Sequence, residues 1–489
     1  MKVGDPTRDG LSKQPQGLGL RQSSGAFHRA TVPKAPEDWR TPRRCRVQLS
    51  HSESGSLLII VLWIAFGLVA LTLYFAHSMS MELRASDNRA AALEAQQAID
   101  GAARYLSNYL GTVAYPGEMP APADLPCEAV SVGEAKYWLI GRDTNDWEIN
   151  ITRPAFGLVD EASKINLNAP WLTADAIQYL PGMTPQIAAA IMDWRDSDTS
   201  VSSDGAEDET YARLTSPYKT KNAAFESVEE LRLVAGITRD ILYGEDANMN
   251  GILDANENDG DESSPFDNRD GKLDPGLAEY FTVYSREPAA GTNINTQGDV
   301  RSLLETVFGQ SRASEIRRQL FPSGTPRPIG SVLEFYLRGG FTEDEFAQVA
   351  DYVTAATNNY TEGLVNVNTA SEPVLECIPG IGTDYASQMV SYRESNPSKL
   401  ATVAWVAEVV GDTNAVVAGP YITAHSYQYT ADVAALGHHN RGYQRVRFVF
   451  DTSEGAPIIV RRQDLTHLGW ALGPETRTEL LAAAGKEAR

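Results

Sequence analysis

Twenty-one consecutive residues, Ser56 to Ala76, read SLLIIVLWIAFGLVALTLYFA and contain no charged side chain. As a helix rising about 1.5 Å per residue, this run spans about 30 Å, the hydrocarbon thickness of a bilayer. It begins too far into the chain for an ordinary secretory leader, and no small-x-small cleavage pattern follows it. Arg40, Arg43, Arg44 and Arg46 precede it, whereas Glu82, Arg84, Asp87 and Arg89 follow it. The basic flank belongs on the cytoplasmic side, so the long C-terminal part is expected to lie across the membrane, tethered by a retained anchor.

The pattern beyond the run stays helical. ELRASDNRAAALEAQQAIDGAARYLSNYL is rich in Ala, Leu, Glu and Gln, lacks proline until Pro116, and repeats apolar residues at helical spacing. One helix is therefore expected from residue 56 to about residue 111. Nothing in residues 1–40 has the pattern of a folded segment.

With 489 residues the chain has material for two to four domains, and its formal net charge is -22. That charge repels nucleic acid and anionic lipid and suits hard cations. Cys45 precedes the anchor; Cys127 and Cys377 follow it, and either a disulfide between them or two buried thiols fits the sequence.

After the proline-rich YPGEMPAPADLP, the stretches AKYWLIGR, DWEINITRP and FGLVDEASKINLN read as strands, and strand patterns return in YITAHSYQYTADV, GYQRVRFVFD and PIIVRRQDL. Between them, residues 165–412 read as short helices and loops. The economical fold is α+β: a long N-terminal helix and an antiparallel sheet interrupted by a large helical insertion. The expected divisions are a leader 1–55, the helix 56–112, the first sheet part 113–164, the insertion 165–412, and the last strands with a helical tail 413–489.

The insertion repeats itself. INLNAPWLTADAIQYLPGMTPQIAAAIMDWRD starts at Ile165 and VNVNTASEPVLECIPGIGTDYASQMVSYRES at Val365; Gly182 to Arg195 and Gly380 to Arg393 are the same thirteen residues apart. FESVEELRLVAGI and LATVAWVAEVVGD follow the two copies with a similar cadence. IPGIG between helices is the pattern of a helix-hairpin-helix, whose second-helix amides can face a DNA phosphate. The first copy reads PGMT, and Asp384, Glu372 and Glu376 surround the second. Packing of helices or contact with protein, not DNA binding, is the expected use, and a membrane-anchored periplasmic DNA-binding protein is the alternative.

DANMNGILDANE, residues 246–257, fits a calcium loop position by position. Asp246, Asn248 and Asn250 supply oxygens at positions 1, 3 and 5, Gly251 the turn, Ile252 a backbone carbonyl, Asp254 position 9 and Glu257 the closing carboxylate. An alternation of oxygen donors suits calcium, which takes six to eight of them in flexible geometry. A partial echo places Asp270, Gly271 and Asp274 at positions 5, 6 and 9 but Phe266 at position 1, and is read as an ordinary turn. In DWRDSDTSVSSDGAEDETY, Asp196, Asp198, Glu207 and Asp208 form a second candidate cation site, since facing carboxylates repel without one. Such ions would brace long loops. There is no HExxH, GxSxG, phosphate-binding loop or dinucleotide fingerprint, and the adjacent His438 and His439 in GHHN read as a hairpin turn. Catalysis is not expected.

A basic leader, a glycine, an immediate apolar run and a long amphipathic extension resemble the N-terminus of type IV pilin-like proteins. In that family a prepilin peptidase cuts after the glycine, here the Gly55–Ser56 bond, and the new N-terminus, here Ser56, is usually methylated. The fifth mature position, usually glutamate, is Ile60; one branch lacks that glutamate, the K-type minor pseudopilin of type II secretion (general secretion pathway protein K). GLVDEASKINLNA, MDWRDSD, GAEDETY, FESVEELRLVAGI and VNVNTA resemble that family in its order. The resemblance implies a single-pass protein of a bacterial inner membrane with its C-terminal part in the periplasm. It also implies partnership with I-type, J-type and major pseudopilins, a place at the pseudopilus tip, and a role in starting the pseudopilus and exporting folded proteins.

Overall fold

The computed structural model describes residues 56–112, 117–142, 153–322 and 327–487. The leader with Gly55, and nearly all of the strand expected in DWEINITRP, lie outside them. The chain divides into two units, residues up to Phe75 and residues from Ala76 onward. In the first, the described residues are helical, the start of α1 (Ser56–Leu110). Their apolar side chains are exposed, Trp63 by 74% and Phe66 by 64%. The run is long and apolar enough to cross a membrane.

In the second unit α1 changes character because its residues do. Ala91, Ala95, Ala98, Ile99, Ala102 and Leu106 line one helical face and are buried, while Leu93 on another face is 67% exposed. Burying Ile99 or Leu106 stabilises by about 1.5–3 kcal/mol each. The alanines let the helix come close to the sheet. At Gly437 an added Cβ would stand 2.1 Å from the Ala91 carbonyl oxygen, so only glycine fits the crossing.

That sheet is antiparallel throughout: β1 (Val130–Val132), β2 (Ala135–Ile140), β4 (Gln428–Gly437), β5 (Arg441–Asp451) and β6 (Ile458–Asp464) lie side by side, and β3 (Val159–Asp160) also pairs with β4. All ten residues of β4 are buried. Its alternate residues serve two cores: Tyr429, Ala431, Val433 and Ala435 join the α1 side. Ala434 and Leu436 join Trp138, Ile140, Ala471 and Leu472 on the other.

Between β3 and β4 the chain leaves the sheet to build the helical insertion, and it does so in three repeats. Each opens with a two-residue strand that pairs in parallel with the repeat's last strand: Ile165–Asn166 with Phe281–Thr282, Thr292–Asn293 with Val353–Thr354, and Val365–Asn366 with Ile422–Thr423. In each Asn-x-Asn the middle residue, Leu167, Ile294 or Val367, is fully buried. The first asparagine's oxygen accepts the N–H of the second at 2.8–3.0 Å. The second then ties down the chain just ahead of a later helix in its repeat: Asn168, Asn295 and Asn368 donate to the carbonyls of Phe225, Ile329 and Leu400 at 2.9–3.0 Å. From those three residues to Gly236, Gly340 and Gly411 the distance is the same eleven positions, and all three glycines have positive φ.

The repeat arginines cap the motif. Arg195 donates to the carbonyls of Leu167, Ala169 and Leu172 at 2.6–3.0 Å, and Arg393 to those of Val367 and Ala370 at 3.0 and 2.6 Å. The third repeat closes on Ile422–Thr423, beyond the boundary expected at residue 412, because that strand pairs with Val365–Asn366 and not with the large sheet.

Candidate metal centre

A five-residue helix, Arg239–Tyr243, ends at Gly244 and delivers the chain into the loop 246–257. Asp246, 6% exposed, turns its carboxylate back on the loop, accepting the N–H of Asn250 at 2.9 Å and of Gly251 at 2.8 Å. Gly251 has φ 74°, the conformation that sharp turn requires. Asn250 is fully buried and its oxygen accepts the Ile252 N–H at 2.9 Å. The amide nitrogens of Asn248 and Asn250 both donate to Asp254, at 2.7 and 3.0 Å. Glu257, 1% exposed, spans the loop's ends, accepting from Ala247 and Asp254, each at 2.9 Å. Ile252, expected to offer its carbonyl, is buried. All six residues singled out in the sequence therefore take part in one closed turn.

Its carboxyl groups are crowded and poorly solvated. Burial raises Asp246 and Asp254 above the ordinary carboxylate range. Glu257 is pushed up to about 8, by burial first and then by the charges of Asp246 and Asp254. The buried oxygen of Asn248 has no hydrogen-bond partner. A hard divalent cation would answer both features, offsetting crowded charge and engaging an idle oxygen.

The echo downstream is closed by a residue outside it. Glu245 accepts the N–H of Asn268 at 3.3 Å and of Asp274 at 3.2 Å, while Phe266 is 65% exposed.

The second acidic loop gathers three of its four expected residues. Ligand oxygens of Asp196, Asp198 and Glu207 lie within 4.8 Å of one another. Asp208 does not join them: it sits in the first turn of the helix Asp208–Tyr211 and accepts the Thr220 N–H at 2.9 Å. Asp193, one helical turn before Asp196's neighbourhood, is what the sequence reading missed. It is fully buried with one idle oxygen, and Glu207, 2% exposed, has two. Burial raises Glu207 despite the neighbouring Thr220 hydroxyl, with the charges of Asp193 and Asp196 adding to it. Its only signal in the sequence is nearness, since Asp193 opens the same acidic stretch three residues before Asp196.

Other candidates resolve simply. Ser56 opens α1, whereas Gly55 is outside the described residues. Cys127 and Cys377 are free and buried in separate cores; burial pushes the Cys127 thiol up to about 11 and Cys377 higher still. The helix after the second hairpin, Gly382–Ser395, has Asp384 in its first turn, and its arginine, Arg393, is spent on the chain's own carbonyls. Neither helps a phosphate.

Residues 174–243 match the family model described as type II secretion system (T2SS), protein K, and residues 361–403 match that of a helix-hairpin-helix motif. Two curated proteins named type II secretion system protein K are similar. That of Pectobacterium carotovorum subsp. carotovorum is 46% identical over 56 residues, 12% of this chain and 17% of the relative. That of Aeromonas hydrophila is 52% identical over 54 residues, 11% of this chain and 16% of the relative. The matched stretch thus spans about a sixth of these relatives' length. A chain of the crystallised GspK-GspI-GspJ complex from the enterotoxigenic Escherichia coli type 2 secretion system aligns over 80% of this chain and 98% of its own, at 12% identity and a TM-score of 0.34.

Proposed function

We propose that the protein is a K-type minor pseudopilin of a type II secretion system, anchored by the first part of α1 in the inner membrane with the rest in the periplasm. One observation carries the reading: an uncharged helical run continues into an alanine-lined helix packed on an antiparallel sheet, and the first repeat inserted into that sheet contains the segment, residues 174–243, that matches protein K. A prepilin peptidase would cut Gly55–Ser56, leaving α1 free to pack among other pseudopilins, those of I and J type and the major one. The N-terminal residue of the membrane-extracted protein tests this: Ser56 is expected, and a mature chain starting beyond Ala76 would sink it.

The three-repeat insertion is bulky, which suits the tip of a filament. In pilin-like filaments the usual glutamate at the position of Ile60 pairs with the N-terminal amine of the subunit above; at the tip no subunit lies above, so Ile60 has no amine to neutralise. Ile60→Glu should leave secretion largely intact, and a severe secretion defect would count against the tip assignment. In this role the protein helps start the pseudopilus and export folded proteins. Bound calcium at Asp246, Asn248, Asn250, Ile252, Asp254 and Glu257 would brace the insertion. A second ion at Asp196, Asp198 and Glu207, with Asp193 beside them, would do the same for the preceding loop. The DNA-binding alternative predicts a salt-sensitive gel shift; the buried Arg393 and the acidic chain favour none.

A further inference from the structure

The calcium loop is held from outside by the large sheet. Arg445 on β5 has a fully buried side chain. It forks onto Asp432 of β4 through Nε at 2.8 Å and Nη2 at 2.7 Å. Its remaining donors go to the loop: Nη2 to the Met249 carbonyl at 2.7 Å, and Nη1 to the Asn248 carbonyl. Arg142, just after β2, donates to the same Met249 carbonyl at 2.6 Å, and its Cδ would lie 3.0 Å from a Cβ at Gly251. From beyond β6, the carbonyl of Trp470 accepts the Asn248 amide at 3.1 Å. Three separated parts of the sheet's own chain therefore grip residues 248–251.

Those outward carbonyls exist as a pair only while the loop's side chains turn inward. The carboxyl groups of Asp246, Asp254 and Glu257 converge in one turn, and their side chains cannot all be charged and drawn inward together unless a cation lies between them. An opened loop withdraws both acceptors from Arg445, leaving a buried guanidinium with idle donors, which is strongly unfavourable. A cation that draws the side chains together fixes the carbonyls in the same act.

We propose that cation occupancy of the 246–257 loop is the fastener that locks the helical insertion onto the sheet, with Arg445 and Arg142 as the receiving residues. This rests on the calcium reading of the loop above. Because coupling is reciprocal, a docked sheet also raises the loop's affinity for the ion.

Hydrogen exchange of the full-length protein in detergent, with calcium or with a chelator, tests it. Calcium is expected to protect residues 246–257, 441–451 and 465–472 together. Protection confined to the loop would overturn the fastener and leave the calcium site standing; failure to take up calcium at all, read by direct titration, would sink both. Arg142→Gln separates the fastener from simple electrostatics. The Arg142 charge acts on Asp246, so a bystander arginine predicts tighter calcium binding once removed. A fastener predicts binding weaker by about tenfold or more, the usual effect of losing a group that orients a metal site. Should Arg142→Gln fail to fold, Asn248→Ser, which removes the tie to Trp470 and also alters a ligand position, is compared with the wild type at saturating calcium, so that occupancy is equal; protection at 465–472 undiminished there would overturn the proposal.

Discussion

His438 and Glu94 are joined twice: the backbone N–H of His438 donates to the Glu94 carboxylate at 3.0 Å, and its Nδ1 lies 2.7 Å from the same oxygen. The other ring nitrogen is 3.0 Å from Asp87, about two helical turns earlier on α1. The turn between β4 and β5 is thus clasped to the helix directly beside the glycine crossing.

This clasp makes stability depend on pH. The carboxylates of Asp87 and Glu94 raise His438 above its ordinary value, and the histidine in turn lowers both of them. Arg441, 2.5 Å from Asp87, and the His439 ring also face the pair. A raised histidine contributes stability fully present below its unfolded pKa, about 6.5, and lost as pH rises through the folded value. The lowered carboxylates contribute stability lost only as pH falls through their depressed values. The melting temperature should therefore decline from about pH 6.5 upward, and His438→Gln should flatten that decline. Equal slopes in the two proteins, followed by thermal melts across the range, would remove the clasp from the account.

The glycine crossing predicts a purely steric effect. Gly437 has φ -79°, which any residue adopts, so Gly437→Ala tests space alone. The new methyl would meet Ala91 backbone atoms that belong to a packed helix and cannot yield. The expected loss is about 1–3 kcal/mol or more in chemical denaturation. Gly298→Ala, in a helix's first turn with nothing within 4 Å of the added carbon, should be neutral or slightly stabilising.

The second repeat supplies another prediction and shows why part of the fold was hidden. Asn295 holds Ile329 by two bonds, N–H to oxygen at 2.8 Å and amide to carbonyl at 3.0 Å, as Asn168 holds Phe225. Asn295→Ala should cost as much as Asn168→Ala, about 1–3 kcal/mol, because each strands buried backbone groups. A cost near zero for Asn295, measured by denaturant unfolding, would break the equivalence. The outer repeats were legible in the sequence through their Pro-Gly turns and matching arginines. The middle one carries Thr292-Asn293-Ile294-Asn295 but no Pro-Gly; its glycine, Gly309, has φ 76° inside what reads as one helix, Gln297–Leu320. A motif whose punctuation is a single glycine gives no break in helical periodicity. The same limit governed the sites: the 246–257 loop is local, so the residues that close its turn could be read in order. Asp193 reaches its loop only through the folding of the helix Pro185–Arg195, and Asp208 is turned away by the start of another.

Calcium should stabilise the protein through Glu257 above all. Metal-free, this residue must either stay protonated or bury a charge beside Asp246 and Asp254. Ligand that binds only the folded state stabilises by about 2.7 kcal/mol at a hundredfold excess over Kd. Chelation should therefore lower the melting temperature of the wild type. Glu257→Gln removes a ligand and the repulsion but keeps only one of the two acceptors that hold the Ala247 and Asp254 N–H groups, so the effects oppose each other. The variant should melt near the chelated wild type, yet gain little when calcium is restored. Asp246→Ala also loses the acceptor for the Asn250 and Gly251 amides, so it should melt below the chelated wild type. That ordering, read by calorimetry with and without calcium, separates a metal site from a self-sufficient turn. A turn that needs no ion would give melting curves indifferent to calcium in all three proteins.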